Sequence, residues 1–384
     1  MALLFLDSFD DRYFTTGSSY ASYHSKWSVV NEDSSGGYLL EQVTGRTGKA
    51  CKLGGNSSLT KNYSVDLLYN NLIWGMALKV ESAPVSDTEI VNIEITHAGG
   101  VDNYIYKLTT DLDIKIYQNT NYIGMTEPDD SIQTNIFYYI ESLINAPSSV
   151  SIQIKKNGSN WLDNNVSEVS PSGVTYVEAT VTGITFKGGV IIDDLYLATT
   201  NYLGQIQIDA IVPNANTSLS RSNPWTASYL NIDECYQANH DGTTTYDTSN
   251  TASPSSVSYN FADKSSATIL GLQSLSWVAA KKLSGSPGNI TFSALTNISS
   301  TDYEYATTKA LTPDTGPTFS LLIGLWENNP ATSSAWTTST YNSAEFGVKS
   351  SGHVSGLSAG YLTASTIELA YIPIASNARY FIIS

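Results

Sequence analysis

In Ser151-Ile152-Gln153-Ile154-Lys155 polar and apolar residues alternate with a period of two, and Asn157-Gly158 follows one residue later. That period places the isoleucines on one side of an extended chain and the polar residues on the other, so one side can be buried and the other wet. Asn-Gly readily takes the positive φ angles of a type I′ turn, so Trp161-Leu162 should start the returning strand. Short apolar or alternating runs recur along the chain between Gly, Pro, Asn, Asp and Ser residues. They include Leu3–Phe5, Tyr38–Leu40, Leu72–Val80, Ile90–Thr96, Tyr104–Leu108, Ile114–Tyr117, Phe137–Ile144, Val174–Val181 and Val190–Leu197. Such a chain can satisfy its backbone in strands and tight turns, as in a sandwich or jelly roll.

Composition points the same way. Exposed helices draw their outer faces from Glu, Lys and Arg, and only 14% of the residues are charged, so helix should be scarce. A chain of 384 residues exceeds what one core organises, since single cores stop growing near ~250–300 residues. Two domains are expected. The first, residues 1–203, ends after the strand Ile191–Leu197 and the segment Ala198–Leu203. The second, residues 204–350, opens with the alternating run Gly204–Ile211 and resumes in strands at Val257–Phe261, Ile269-Leu270, Leu275–Ala280, Ile290–Phe292, Tyr303–Ala306 and Phe319–Leu325. Residues 351–384 form an apolar, β-prone tail ending Arg379-Tyr380-Phe381-Ile382-Ile383-Ser384, which must pair within its own sheet or with a neighbouring subunit in an assembly.

A formal net charge of -16 repels a phosphate backbone and an anionic bilayer, so nucleic acid and membrane are poor partners. Cys51 and Cys235 fall in different expected domains and define neither a disulfide framework nor a thiolate metal site. The opening MALLFLDSFDDRYF has no basic segment before its apolar run, unlike a signal peptide, so synthesis in a host cytoplasm is expected.

Chemistry-bearing residues are few. Asp193-Asp194 could bind Ca²⁺ together with backbone oxygens, provided a bulge or strand end lets adjacent carboxylates converge. His24, His97, His240 and His353 are scattered, without metal-ligand spacing. Alternation puts Glu141 on the side of Phe137 and Tyr139, either as an acid in an aromatic cleft or as a strand residue at a sheet face or edge. The second reading is preferred, because no second carboxylate can be placed beside it. Trp161, Trp225, Trp326 and Trp336 could stack on sugar rings, but large aromatics also dominate sandwich cores, and core is the expectation for each.

Several segments in a shared order resemble a family of tailed-phage virion structural proteins whose N-terminal part is similar to a concanavalin/laminin-G-type jelly roll. Leu3-Leu4-Phe5-Leu6-Asp7-Ser8-Phe9-Asp10 is similar to its first strand, and Gly45-Arg46-Thr47-Gly48-Lys49-Ala50-Cys51-Lys52-Leu53 to the loop and strand that follow. Phe137-Tyr138-Tyr139-Ile140-Glu141 is similar to its Trp-x-Tyr-Ile-Glu strand, with Phe137 in place of Trp, and Ile192-Asp193-Asp194-Leu195-Tyr196 to the closing strand. Tyr202–Ile208 with Pro213, Trp277–Lys282 and Ala335–Val348 resemble later landmarks, so the likeness covers about residues 1–350.

The resemblance implies an all-β protein, a jelly-roll sandwich followed by a second β-rich sandwich. It implies a non-enzymatic virion component for assembly and attachment, from tail, fibre or particle surface. Expected partners are other virion proteins, further copies of this chain in an oligomer or array, and a host-surface glycan; no cofactor is expected beyond the Ca²⁺ candidate. The alternatives are a carbohydrate-binding lectin and, behind it, a glycoside hydrolase or depolymerase.

Overall fold

The computed structural model describes residues 3–10, 26–31, 40–46, 48–55, 57–67, 70–145, 150–162, 169, 178–217, 225, 228–232, 247–249 and 254–373. These are overwhelmingly strand. The chain divides into two compact units, Met1–Gln205 with Glu234–Asp241, and Ile206–Asp233 with Gly242–Ser384.

The first unit is a sandwich of two antiparallel sheets. One runs Ser159–Asn160, Ser151–Lys156, Phe137–Asn145, Leu72–Lys79, Val190–Ala198, Lys49–Leu53, Leu40–Thr44, with Leu3–Asp7 also on Val190–Ala198. The other runs Asn121–Met125, Ile114–Gln118, Gly100–Leu108, Thr88–His97, Thr180–Lys187, Ser58–Asp66, Val29–Asn31. Alternate residues of both sheets enter one core, as a period of two requires. Within it Phe5, Trp27, Phe186, Trp74 and Tyr106 meet edge to face in a continuous chain, at centroid distances of 5.1, 6.0, 6.4 and 5.4 Å in that order. Each such pair adds roughly 0.5–1.5 kcal/mol beyond simple burial, and with Phe5 and Trp74 on one sheet and Phe186 and Tyr106 on the other, the chain of rings ties the layers together.

The Asn157-Gly158 turn forms as the sequence predicts, with φ of 51° and 88°. The returning strand is shorter and earlier than expected: it is Ser159–Asn160, and Trp161 follows it into the core.

The second unit has a sheet ordered Gln207–Ile211, Ser358–Pro373, Ala267–Lys282, Ser320–Trp326, with Asp247–Ser249 also paired to Ser358–Pro373. A further sheet runs Pro213–Asn216, Ser255–Phe261, Glu345–Ser351, Ile290–Ile298, Thr301–Leu311. Phe346 lies within 5.8–6.3 Å of the Phe261, Tyr341, Trp336 and Trp326 rings.

Two expectations change in this unit. Ile269-Leu270 and Leu275–Ala280 belong to one strand, Ala267–Lys282, which absorbs irregularity through register shifts at Ile269/Gly271 and Trp277/Val278. The stretch set apart as a tail is, over Ser358–Pro373, an inner strand of the unit's own sheet, buried from Ser358 to Tyr371. Its apolar character comes from burial on both faces, as inner strands require. Residues 374–384, including the apolar terminus, lie outside the described residues. No helix among the described residues is long and apolar enough to cross a membrane.

Candidate functional site

Val190–Ala198 changes partner along one edge: Cys51 stands opposite Ile192, and Asp7 opposite Leu195. Asp193 and Asp194 fall in the gap. Here the register with Leu72–Lys79 shifts and Asp194 takes a φ of 47°. This is the bulge that adjacent carboxylates need, but the cation they meet is Arg46. Its Nε and Nη2 lie 3.0 and 2.7 Å from Asp194 Oδ2, and its backbone N–H donates to Asp193 Oδ2 at 2.8 Å. Asp193 Oδ1 accepts the Asp194 N–H at 2.8 Å.

The neighbouring turn fits closely around the same groups. A Cβ on Gly45 would lie 2.5 Å from Asp193 Oδ2, and the Lys49 N–H donates to Asp10 Oδ1 at 2.5 Å. Burial, and then the Asp194 charge, push the Asp193 carboxyl up to about 9. Of the calcium candidates, Asp194 thus forms an internal ion pair with Arg46 and Asp193 accepts backbone N–H groups, at the point where Val190–Ala198 passes from one partner strand to the other. Among the described residues no group of three or more His, Cys, Asp or Glu is placed to hold a metal ion.

Glu141, Gly75 and Tyr196 are successive partners across three strands, on the side of the sheet turned away from the core. A Cβ on Gly75 would lie 2.2 Å from Tyr196 Cε1, so only glycine lets the tyrosine ring pass. Tyr196 then donates its hydroxyl to Glu141 Oε1 at 2.5 Å. The Gly204 N–H donates to that oxygen at 2.9 Å, and the Leu203 N–H to Tyr196 Oη at 3.0 Å. Burial raises the Glu141 carboxyl, against the lowering effect of these hydrogen bonds. Glu141 is 1% exposed and fastens the segment Leu203-Gly204 onto the sheet; it is a sheet-face residue and does not line an open aromatic cleft.

Trp161, Trp225, Trp326 and Trp336 are all buried and belong to the two cores. His97 and His353 lie in different units, and His24, His240 and Cys235 fall outside the described residues.

The aromatic surface that sequence reasoning did not single out is the outward face of the seven-stranded sheet. One row crosses every strand: Val29, Thr60, Thr185, Asn92, Ile105, Tyr117, Tyr122. Their neighbours Val30, Leu59, Ile184, Phe186, Val91, Ile93, Tyr104, Tyr106 and Ile116 point into the core, so the row faces out. Thr60 and Thr185 share a hydroxyl hydrogen bond of 2.9 Å. The Tyr117 and Tyr122 rings meet edge-on at 5.9 Å, and Tyr122 is 55% exposed.

Asn92 Oδ1 is buried and has no hydrogen-bond partner. Glu94, Asn103 and Asn62 flank the row on one side, and Lys187, Glu89, Lys107 and Lys115 on the other. Hydroxyls, an amide and an aromatic pair on one rigid sheet offer donors, acceptors and a stacking surface together. The sequence carried a signal for this row, since Ile105 and Tyr117 alternate with core residues. Which of the two alternating sets faces water is decided only when the second sheet covers the other.

No family model matches the chain, and no curated protein matches it. Among solved structures the chain is similar to the cellulose induced protein Cip1, at 13% identity over 43% of this chain and 87% of that one, with a TM-score of 0.33. It is also similar to the carbohydrate binding module CBM66 from Bacillus subtilis, at 12% identity over 42% and 89%, TM-score 0.25. A carbohydrate esterase from the Shiga toxin-encoding bacteriophage phi24B matches at 13% identity over 51% and 100%, TM-score 0.32. Each of these matches covers about half of the chain or less, and neither fold, activity nor ligand passes from it to this protein. The protein is all-β, an N-terminal jelly-roll sandwich followed by a second β-rich unit.

Proposed function

We propose that this protein binds a glycan through the outward face of the seven-stranded sheet and performs no chemistry on it. The observation that carries this reading is the row Thr60, Thr185, Asn92, Tyr117, Tyr122. It sets sugar-compatible hydrogen-bonding groups, including the unpartnered Asn92 Oδ1, beside tyrosine rings that lie outside both cores. A buried acceptor without a partner costs roughly 1–3 kcal/mol, so a ligand that donates to Asn92 recovers part of that penalty. Tyr122 presents an apolar ring face at low entropic cost, the usual means of gripping the C–H face of a sugar.

The setting we propose is the surface of a phage particle, which the segments similar to tailed-phage virion proteins support. Other virion proteins and further copies of this chain are its partners there. Individually weak contacts then add up through multivalency. Glycan-array binding by the whole chain, weakened severalfold in Tyr122→Ala and Asn92→Ala with folding intact, tests the surface. Release of reducing ends from a bound polysaccharide would overturn the non-catalytic part, and absence of the chain from purified particles the virion part.

A further inference from the structure

We infer that the bound glycan carries a carboxylate, as uronate or sialate residues do, and that Lys107 reads it. The inference rests on the glycan-binding reading above and assigns its ligand class.

On the flank formed by Lys187, Glu89, Lys107 and Lys115, the charges do not balance. Lys187 pairs with Glu89 at 2.7 Å, and Lys115 pairs with Asp87 at 2.9 Å. Lys107 stands directly between Glu89 and Lys115 in the sheet register, yet among the described residues it forms no ion pair. Three ammonium groups therefore face two carboxylates, a local surplus of one positive charge on a chain whose formal net charge is -16. Against that background an isolated surface lysine would ordinarily find an acid to pair with.

Lys107 instead holds its Nζ 4.8 Å above the Tyr117 ring, which is itself packed edge-on against Tyr122. Cation–π contact at an exposed site is weak, enough to orient the ammonium without neutralising it. The ammonium is thus held beside the stacking surface, where a sugar ring lying on Tyr122 would bring a ring carboxylate within reach. The opposite flank is of the other sign: Glu94, hydrogen-bonded by Thr182, lies with Asn103 across the row. A sugar acid on this face is therefore oriented, carboxylate toward Lys107 and hydroxyls toward Glu94 and Asn103. A neutral glycan would gain nothing from that polarity.

The experiment measures binding of the whole chain to a panel of uronate-containing and sialate-containing oligosaccharides, each beside its methyl ester, for the wild type and for Lys107→Met, Lys107→Arg and Tyr122→Ala. The expected result is at least one carboxylated glycan bound about tenfold more tightly than its ester. That preference is abolished in Lys107→Met, retained in Lys107→Arg, and weakened by added salt, as charge recognition must be. Which glycans bind separates uronate from sialate. Equal binding of acid and ester, unchanged by Lys107→Met, overturns the carboxylate inference and leaves the glycan reading standing. Binding of no glycan, or binding indifferent to Tyr122→Ala, overturns both. Circular dichroism of each variant separates lost binding from lost folding.

Discussion

Tyr196 lies across Gly75 and donates its hydroxyl to Glu141 on the strand beyond, at 2.5 Å. A long aromatic side chain thus bridges a strand whose own residue has no side chain. Gly75→Ala would drive a methyl into the tyrosine ring, and the ring is held by the Leu203 N–H as well as by Glu141. The expected loss is about 1–3 kcal/mol, as for overpacking generally, measured by denaturant unfolding. Tyr196→Phe should cost a similar amount by leaving the buried Glu141 without its hydroxyl donor.

Stability should fall as pH rises from about 4 to about 9. Burial raises the Asp193, Glu141 and Asp247 carboxyls in the folded protein, Asp193 to about 9 from an ordinary 3.8. Across that interval the folded chain retains a proton that the unfolded chain has released, so unfolding becomes easier as pH increases. Thermal midpoints recorded from pH 4 to 9 check the trend, and Asp193→Asn should flatten it.

Removing the Arg46 guanidinium takes away the cation that meets the buried Asp194 carboxylate at two points, with Asp194 0% exposed and Arg46 21%. Breaking one side of such a pair costs roughly 3–5 kcal/mol. Arg46→Met should therefore unfold far more readily in denaturant. Added calcium should leave the wild-type melting temperature unchanged, because the arginine already supplies the positive charge.

Tyr122→Ala separates binding from folding. With 55% of Tyr122 exposed and no place in either core, its truncation should change stability by less than ~0.5 kcal/mol while weakening glycan binding severalfold. Calorimetric titration alongside a thermal melt reads both.

Much of the fold was legible because local rules settled it. The alternation in Ser151–Lys155 and the positive-φ dipeptide Asn157-Gly158 need no distant partner to be read correctly. For Ser358–Pro373 the sequence left two partners open, its own sheet or a neighbouring subunit, because the partner strand Ala267–Lys282 lies far away in the chain; it pairs along its length. The convergence of Asp193 and Asp194 was foreseen as needing a bulge, but Arg46 as their counter-ion was not, since its approach depends on a turn more than a hundred residues earlier. Glu141 was placed correctly on a sheet face, while the Gly75 gap beneath Tyr196 depends on register, which single-strand patterns do not carry. The outward aromatic row went unnoticed for the same reason: Tyr117 and Tyr122 become neighbours only through pairing.

The first strand of the jelly roll, Leu3–Asp7, pairs with Val190–Ala198, the last strand of its sandwich. During synthesis Leu3–Asp7 must wait for nearly the whole unit before its sheet partner exists. So non-local a closure makes folding slow and keeps the apolar Leu3–Leu6 segment exposed in the nascent chain. Chaperone supply or a lower growth temperature should accordingly raise the yield of folded protein by shielding that waiting strand.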